Sequence, residues 1–249
     1  MAPVSFTPEE FFVHSRPEGV TRAVLIQMNF YEFDNRYMLD CMEKYTGVFS
    51  GVAIVDETKG DVVESMKSLA EKGVRGFRIY TDLENAIKWR DSKGMNAMWS
   101  HAADSGLSMC LLSNPDALPL VNEMCKRYPK TRVVIDHFSR IGVTGTIPAS
   151  QLDDLCRLSE YKNVYVKTSA FYALGQKKPP YIDLGGMIQR LLQVFSENRL
   201  MWASDCPYQV ADEHSYSESI ALIRDKLPAL TESNKQWILK GTAEKVFFT

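Results

Sequence analysis

Two short apolar runs in this chain of 249 residues end abruptly in side chains that can do chemistry. Residues 133–135 are followed at once by an acid and then by His137, and residues 200–203 run into Asp205. Apolar runs of this length are typical of strands buried on both faces of a parallel sheet. The carboxyl ends of parallel strands meet at one edge, so His137 and Asp205 are expected to lie together.

Each of these side chains has a functional and a structural interpretation. Asp205 can take a proton from water as a general base, or cap the helix that follows its turn. His137 can bind a metal through a neutral nitrogen, donate a hydrogen bond to a developing oxyanion, or be an ordinary strand-end histidine. Asp136 should alternate to the opposite side of the strand, and we expect it to be structural.

Arg78 lies at the end of another strand-like run and could hold a substrate carboxylate in a bidentate contact. It could equally pair with an acid of the fold. The remaining candidates for substrate contact are weaker, because barrel packing or loop structure would explain them as well. They are Gln27, Tyr31, Lys167, Tyr172 and His214.

The elements that must position these residues alternate strictly between strand and helix. The chain opens with a helix that Thr7 caps, and no break in composition divides residues 1–249, so we predict one domain. This pattern predicts a (β/α)8 TIM barrel, in which eight strands are needed for closure. Seven are recognised, and the first strand of the barrel is the one without a counterpart. Their predicted ranges are 22–27, 51–55, 74–79, 107–112, 132–136, 163–167 and 200–203.

Composition narrows the classes of partner. The 29 basic and 31 acidic side chains nearly cancel, which predicts a small-molecule substrate and neither a nucleic-acid nor a membrane partner. Five widely spaced cysteines favour a reducing compartment, so we expect a cytoplasmic protein. No phosphate-binding glycine motif is present, which argues against a nucleotide cofactor. A homo-oligomer is left open.

Five segments taken in order resemble the amidohydrolase-related family of the amidohydrolase 2 type, specifically its lactonase-like branch. The resemblance runs from Gly19 onward and implies a TIM barrel of the metal-dependent hydrolase type. Members hydrolyse lactones, amides or related bonds, some relatives decarboxylate acids, and many bind one divalent metal. The segments are GVTRAVLIQ, GVRGFRIY, VVIDHF, NVYVKTSAFY and RLMWASDCPY.

The resemblance also implies roles for single residues. His137 matches a metal ligand or substrate contact, Asp205 matches a metal ligand or general base, and Arg78 matches a frequent strand-end arginine. The family's paired histidines, HxH, are absent together with the first strand. Residues 110–113 carry no histidine, and residues 241–243 read GTA where GNA is usual. A divalent metal, with zinc the first expectation, would therefore have only two ligands here, His137 and Asp205.

The leading hypothesis is a hydrolase of a small carboxylated lactone or a related ester or amide. Asp205 would activate water, His137 would be a metal ligand or electrophilic partner, and Arg78 would hold the substrate. A decarboxylase-like relative is one alternative. Another is a truncated or catalytically impaired family member with a ligand-binding or interaction role, and a third is that an upstream segment supplies the first strand.

Overall fold

The computed structural model describes residues 5–249, and within them the chain alternates between strands and helices as the sequence predicts. The strands are β1 Ala23–Ile26, β2 Phe49–Ala53, β3 Val74–Thr81, β4 Ser108–Ser113, β5 Arg132–Ile135, β6 Val164–Ser169 and β7 Leu200–Ala203. The helices are α1 Pro8–Ser15, α2 Arg36–Lys44, α3 Val62–Glu71, α4 Leu83–Arg90, α5 Lys93–Ser105, α6 Leu118–Arg127, α7 Ala149–Arg157, α8 Gly185–Phe195, α9 Tyr216–Ala221, α10 Glu232–Gln236 and α11 Thr242–Phe247.

Helix boundaries follow local capping chemistry. Thr7 accepts a hydrogen bond from the backbone of Glu10, whose side chain accepts one back from Thr7, which is a capping box. Ser92 caps α5 and so separates it from α4. Gly106 then ends α5 with a φ of 68°, a left-handed conformation that glycine adopts without strain.

The seven strands form one parallel sheet in sequence order, β1 to β7, which curls into a half-barrel covered by helices. The prediction of seven parallel strands is confirmed. Each neighbouring pair is joined by a helical crossover, the connection that parallel strands require. All strand carboxyl ends consequently open on one rim.

The inner face of the sheet carries its own small apolar core, separate from the larger core between strands and helices. Helix α11 reaches this inner face, where the Val246 carbonyl accepts a hydrogen bond of 2.9 Å from Arg132. Arg22, just before β1, pairs with Glu244 of the same helix. The buried members of the inner core are Val52, Cys110, Val134, Tyr165, Met201, Val246 and Phe247.

Helix α1 links β2 to the last strand, β7, through aromatic contacts on the outer face of the sheet. Phe12 stacks on Phe49 of β2 at 5.7 Å between ring centroids. On the other side, Phe11 meets the edge of Tyr216 at 6.1 Å, and Tyr216 meets Trp202 of β7 at 5.4 Å. The open side of the half-barrel is therefore bridged by one helix.

No helix within residues 5–249 combines the length and the apolar character needed to cross a membrane.

Replacing Phe11 by alanine should destabilise the fold by about 2–3 kcal/mol, less than for a fully buried phenylalanine because this ring is only partly covered. Urea unfolding followed by circular dichroism measures the change. Val13 lies on the same helix and is 71% exposed, so Val13→Ala is the matched control and should stay within about 0.5 kcal/mol of the wild type. Equal effects of the two changes would contradict the bridging role of α1.

Candidate active site

The candidate residues converge at the rim where the strands end. Arg78 of β3 lies opposite Cys110 of β4 and Lys167 of β6 lies opposite Met201 of β7, and both partners belong to the inner core. Neighbours in register share a face of the sheet, so Arg78 and Lys167 point into the half-barrel. Both are almost fully buried.

Asp136 lies between these two cations. Its Oδ1 is 2.8 Å from Lys167 Nζ, and its Oδ2 is 3.8 Å from Arg78 Nη2. Only 1% of the Asp136 side chain is exposed. The Nε of Arg78 has no hydrogen-bond partner among the described residues. We call Arg78, Asp136 and Lys167 the ion cluster. Because it contains two cationic side chains and one anionic side chain, it has an excess positive charge.

Opposing effects act on the carboxyl group of the ion cluster. Burial alone raises the pKa of Asp136, because a carboxylate loses its hydration. The positive charges of Lys167 and Arg78 outweigh that effect and hold the pKa below its ordinary value. Asp136 is therefore ionised, and its charge depends on both cations.

The expectation that Asp136 would face away from His137 is wrong. His137, Phe138, Ser139 and Arg140 all have φ between 51° and 59°, a left-handed run directly after β5. Strict alternation holds only while the backbone stays extended, so this run brings His137 to the same side as Asp136. Left-handed residues other than glycine cost about 1 kcal/mol or more each, and such strain concentrates at functional sites.

The side chain of His137 contacts residues at the carboxyl ends of both β6 and β7. Its Nδ1 is 2.8 Å from Ser169 Oγ, and its Nε2 is 3.5 Å from Asp205 Oδ1. Burial lowers the pKa of His137, because the imidazolium would lose hydration, and the carboxylates of Asp205 and Asp136 offset only part of this. The imidazole is therefore neutral near pH 7. The predicted meeting of His137 and Asp205 is present in the structure.

Tyr172 fixes the other oxygen of Asp205. Its hydroxyl donates a hydrogen bond of 2.8 Å to Asp205 Oδ2, which leaves Oδ1 directed toward His137. Burial, followed by the negative charge of Asp205, raises the pKa of Tyr172, so the phenol keeps its proton. Asp205 also has a left-handed backbone, with a φ of 55°. The structure thus makes Tyr172 a partner of Asp205, a role that the sequence did not suggest.

Aromatic side chains from the loops after β6 and β7 pack around Tyr172. Tyr208 stacks on it at 6.2 Å between ring centroids, and the ring of His214 lies 5.9 Å away. His214 in turn forms a hydrogen bond of 3.0 Å with the hydroxyl of Tyr181. His214 therefore adjoins Tyr172, the partner of Asp205.

Two weaker candidates lie apart from this group. Gln27 is buried, and its amide donates to the backbone carbonyl of Asp34, which fastens the loop after β1. Tyr31 is 42% exposed in that loop and packs against Phe30. Neither forms a hydrogen bond or ring contact with the other candidates.

Sequence reasoning missed several side chains of the site. Ser169 could have been found, because it follows Lys167 by two residues and so shares its face of β6. Tyr181, Tyr208 and Gln209 carry no such signal, since they come from irregular loops whose course the sequence pattern does not define.

The donor atoms present do not fit a tight zinc site. His137 Nε2 and Asp205 Oδ1 are close enough to share a cation, but a catalytic zinc normally has three protein ligands and a water. Within residues 5–249, no group of three or more His, Cys, Asp or Glu side chains is arranged to hold a metal ion. The cations of the ion cluster also lie near His137 and would repel a metal.

The sequence model that describes the amidohydrolase family matches residues 1–249 of this chain. The chain belongs to this family. The family assignment that the sequence resemblance suggested is therefore confirmed, as is the barrel architecture.

Two relatives within the family share about a quarter of the aligned residues. An L-fucono-1,5-lactonase of Burkholderia ambifaria is 27% identical over 208 residues, which is 81% of this chain and 70% of the relative. A 2-pyrone-4,6-dicarboxylate hydrolase of Comamonas testosteroni is 24% identical over 205 residues, 79% of this chain and 66% of the relative. The chain therefore aligns with about two thirds of each relative.

Solved amidohydrolase structures have the same architecture. A candidate 2-pyrone-4,6-dicarboxylic acid hydrolase of Pseudomonas putida superposes with a TM-score of 0.83 at 25% identity, covering 100% of this chain and 90% of that one. An amidohydrolase of Burkholderia multivorans with bound zinc superposes with a TM-score of 0.84 at 17% identity, covering 98% and 89%. At that identity the second likeness concerns the fold alone.

Replacing Asp136 by asparagine should cost about 3–5 kcal/mol of stability, because two buried cations would lose their counter-charge. Urea unfolding at neutral pH measures it. Asp154→Asn is the matched control, since Asp154 pairs with Arg157 at the surface and such pairs contribute little. If both variants lost the same stability, Asp136 would not be balancing the buried charges.

Stability should also depend on pH through His137. Its pKa is lower in the folded chain than the ordinary 6.5, so the unfolded chain binds more protons below about pH 6.5. The contribution of His137 to the free energy of unfolding is complete above that pH. It is lost as the pH falls through the pKa that His137 has in the folded chain. In metal-free protein, unfolding measured between about pH 7.5 and 5 should show a steeper loss for the wild type than for His137→Asn. The variant Val13→Ala, which changes an exposed side chain without a titratable group, should keep the wild-type slope.

Proposed function

We propose that this amidohydrolase hydrolyses a small carboxylated lactone, with Asp205 as general base. The observation that carries the proposal is the contact between a neutral His137 and Asp205 beside a buried cluster of excess positive charge. Base, hydrogen-bond donor and anion-binding groups then line one rim of the half-barrel. Hydrolysis of a carboxylated lactone uses all three.

The ion cluster supports recognition of a substrate carboxylate. Arg78 Nε is buried without a partner among the described residues, and a guanidinium binds a carboxylate through two parallel hydrogen bonds. Asp136 neutralises one of the two cations, so the remaining charge matches one carboxylate. Such a contact would remove the burial cost of an unpaired donor.

Asp205 supports water activation. Tyr172 holds Oδ2, so Oδ1 is the oxygen left to take a proton from water. The water oxygen bonds to the lactone carbonyl carbon, and the bond from that carbon to the ring oxygen then breaks. The proton held on Asp205 goes to the ring oxygen, and the product is a hydroxy acid or its keto tautomer.

His137 supports the developing negative charge. Ser169 is fully buried, and the only hydrogen-bond acceptor for its hydroxyl among the described residues is His137 Nδ1. With Nδ1 accepting, the proton of the neutral imidazole lies on Nε2, which faces Asp205. That N–H is placed to donate to the carbonyl oxygen as it becomes an oxyanion.

The two named relatives act on different lactones, and the charge of the ion cluster favours the carboxylated lactone as the substrate of this chain. The relative from C. testosteroni is named for a dicarboxylate, whereas a sugar lactone carries no carboxylate. A buried excess cation has no counterpart in an uncharged sugar lactone. We therefore favour a carboxylated, pyrone-like lactone as the substrate class.

The substrate class predicts how Arg78→Gln should behave. Its kcat/KM for 2-pyrone-4,6-dicarboxylate should fall roughly 10- to 150-fold, the worth of a charge-assisted hydrogen bond of about 1.5–3 kcal/mol. Turnover of uncharged L-fucono-1,5-lactone, if measurable, should change less than about threefold and is the internal control. Ring opening is followed by loss of the pyrone absorbance.

Asp205→Asn should abolish ring opening while leaving dicarboxylate binding by calorimetry within roughly tenfold. Binding of the dicarboxylate by wild-type protein without turnover would contradict the hydrolase function and favour a ligand-binding role. Release of carbon dioxide without ring opening would mean decarboxylation. Turnover of the sugar lactone alone would contradict the carboxylate preference.

A further inference from the structure

The ring of His214 is held by a chain of hydrogen bonds that starts at Gln209. The Gln209 side chain is fully buried, and its Nε2 donates to the Ser215 carbonyl at 3.2 Å and to the Tyr181 hydroxyl at 2.9 Å. The Tyr181 hydroxyl also lies 3.0 Å from His214 Nδ1. Gln209 donates its backbone N–H to the carbonyl of Asp205, so this chain is anchored to the proposed base.

The Ser215 carbonyl fixes the orientation of the Gln209 amide. A carbonyl oxygen can only accept, so the amide nitrogen must face it; the flipped amide would place two acceptors 3.2 Å apart. The second N–H of the same nitrogen then points at the Tyr181 oxygen, which accepts it. Gln209 Oε1 has no partner among the described residues, so the two donated bonds are the hydrogen bonds that hold this amide.

The hydrogen of the Tyr181 hydroxyl consequently has one destination. Tyr181 is 1% exposed, and burial raises its pKa, so the phenol is protonated. Buried hydroxyl groups almost always donate, and the only acceptor within hydrogen-bond distance among the described residues is His214 Nδ1. His214 therefore accepts at Nδ1, and in the neutral ring the proton lies on Nε2.

His214 Nε2 is open to a ligand. No hydrogen bond joins it to any residue between 5 and 249, and the half-buried ring stacks on Tyr181 at 6.1 Å with 29° between planes. It also lies against Tyr172, the partner of Asp205. Contacts thus run from the ion cluster through His137, Asp205 and Tyr172 to His214, with a polar group at each end.

We infer that Gln209 and Tyr181 lock His214 as a hydrogen-bond donor at Nε2, which binds a second acceptor group of the substrate, such as a second carboxylate. This inference rests on the proposed function, in which the ion cluster binds the first carboxylate. Tyr181 and Gln209 are positioning residues that act through His214. The substrate class is then a lactone with acceptor groups on both sides of the scissile ester.

The tautomer is tested without any substrate. The chain has four histidines, so nitrogen NMR of the full protein can resolve each ring, with His214→Gln identifying the signal of this one. In the wild type, His214 should show a protonated Nε2 and an unprotonated Nδ1. Tyr181→Phe should shift this ring toward a mixture of tautomers. Tyr161→Phe is the matched control, because its hydroxyl donates to the Asn122 carbonyl away from the site, and it should leave the spectrum unchanged.

The donor role is tested by comparing two replacements and two substrates. His214→Leu should raise KM for 2-pyrone-4,6-dicarboxylate roughly tenfold with kcat changed less than about threefold, as expected for one lost binding contact. His214→Gln keeps a donor near the position of Nε2 and should restore most of the affinity. For a pyrone with a single carboxylate, both variants should behave like the wild type.

The outcomes separate this inference from the proposed function. A proton on Nδ1, or an unchanged His214 signal in Tyr181→Phe, would overturn the lock even in an active enzyme. Equal KM changes for both pyrones, or no rescue by glutamine, would overturn the donor role. Absence of turnover by the wild type would overturn the proposed function and leave the NMR result standing; calorimetric binding of the two pyrones would then replace KM as the readout.

Discussion

The site is organised around one buried carboxylate, Asp136, which lies between Arg78 and Lys167 on the inner face of the half-barrel. Two cations from different strands could not be buried there without a counter-charge, because the loss of hydration would cost several kcal/mol for each. Asp136 makes their burial tolerable yet satisfies neither fully. The remaining positive charge and the unpaired donor of Arg78 are the basis for the proposed binding of a substrate carboxylate at this rim.

Backbone strain lies where the chain leaves the strands of the site. The left-handed run that begins at His137 and the left-handed Asp205 each turn a side chain toward the rim at a place where an extended backbone would direct it elsewhere. This geometry costs conformational energy, which the packing of Phe138 and its buried neighbours must offset. The same turn puts Asp136 and His137 side by side, so in the proposed reaction the ion cluster and the imidazole of His137 would contact the same substrate.

Both ends of the chain pack against the strands that flank the open side of the half-barrel. Helix α1 joins β2 to β7 from outside through Phe12, Phe11 and Tyr216, while α11 packs on the inner face. Asp205 leaves the last strand beside this junction. Its orientation therefore depends on contacts made by both ends of the chain, as well as on the hydrogen bond from Tyr172.

The sequence by itself determined the alternation of strand and helix and the seven strands, because the spacing of apolar residues is a local property of the chain. It also determined the meeting of His137 with Asp205, because the carboxyl ends of parallel strands share one rim. It also indicated Arg78 and Lys167, although it placed Asp136 on the wrong side. The substrate contacts expected of Gln27 and Tyr31 stay predictions. Only the tertiary structure decided which acid balances the cations, that Tyr172 serves Asp205, and that Gln209 and Tyr181 hold His214. Those contacts join loops whose backbone leaves the extended and helical regions, where side-chain direction no longer follows from sequence spacing and is set by packing and hydrogen bonds across the fold.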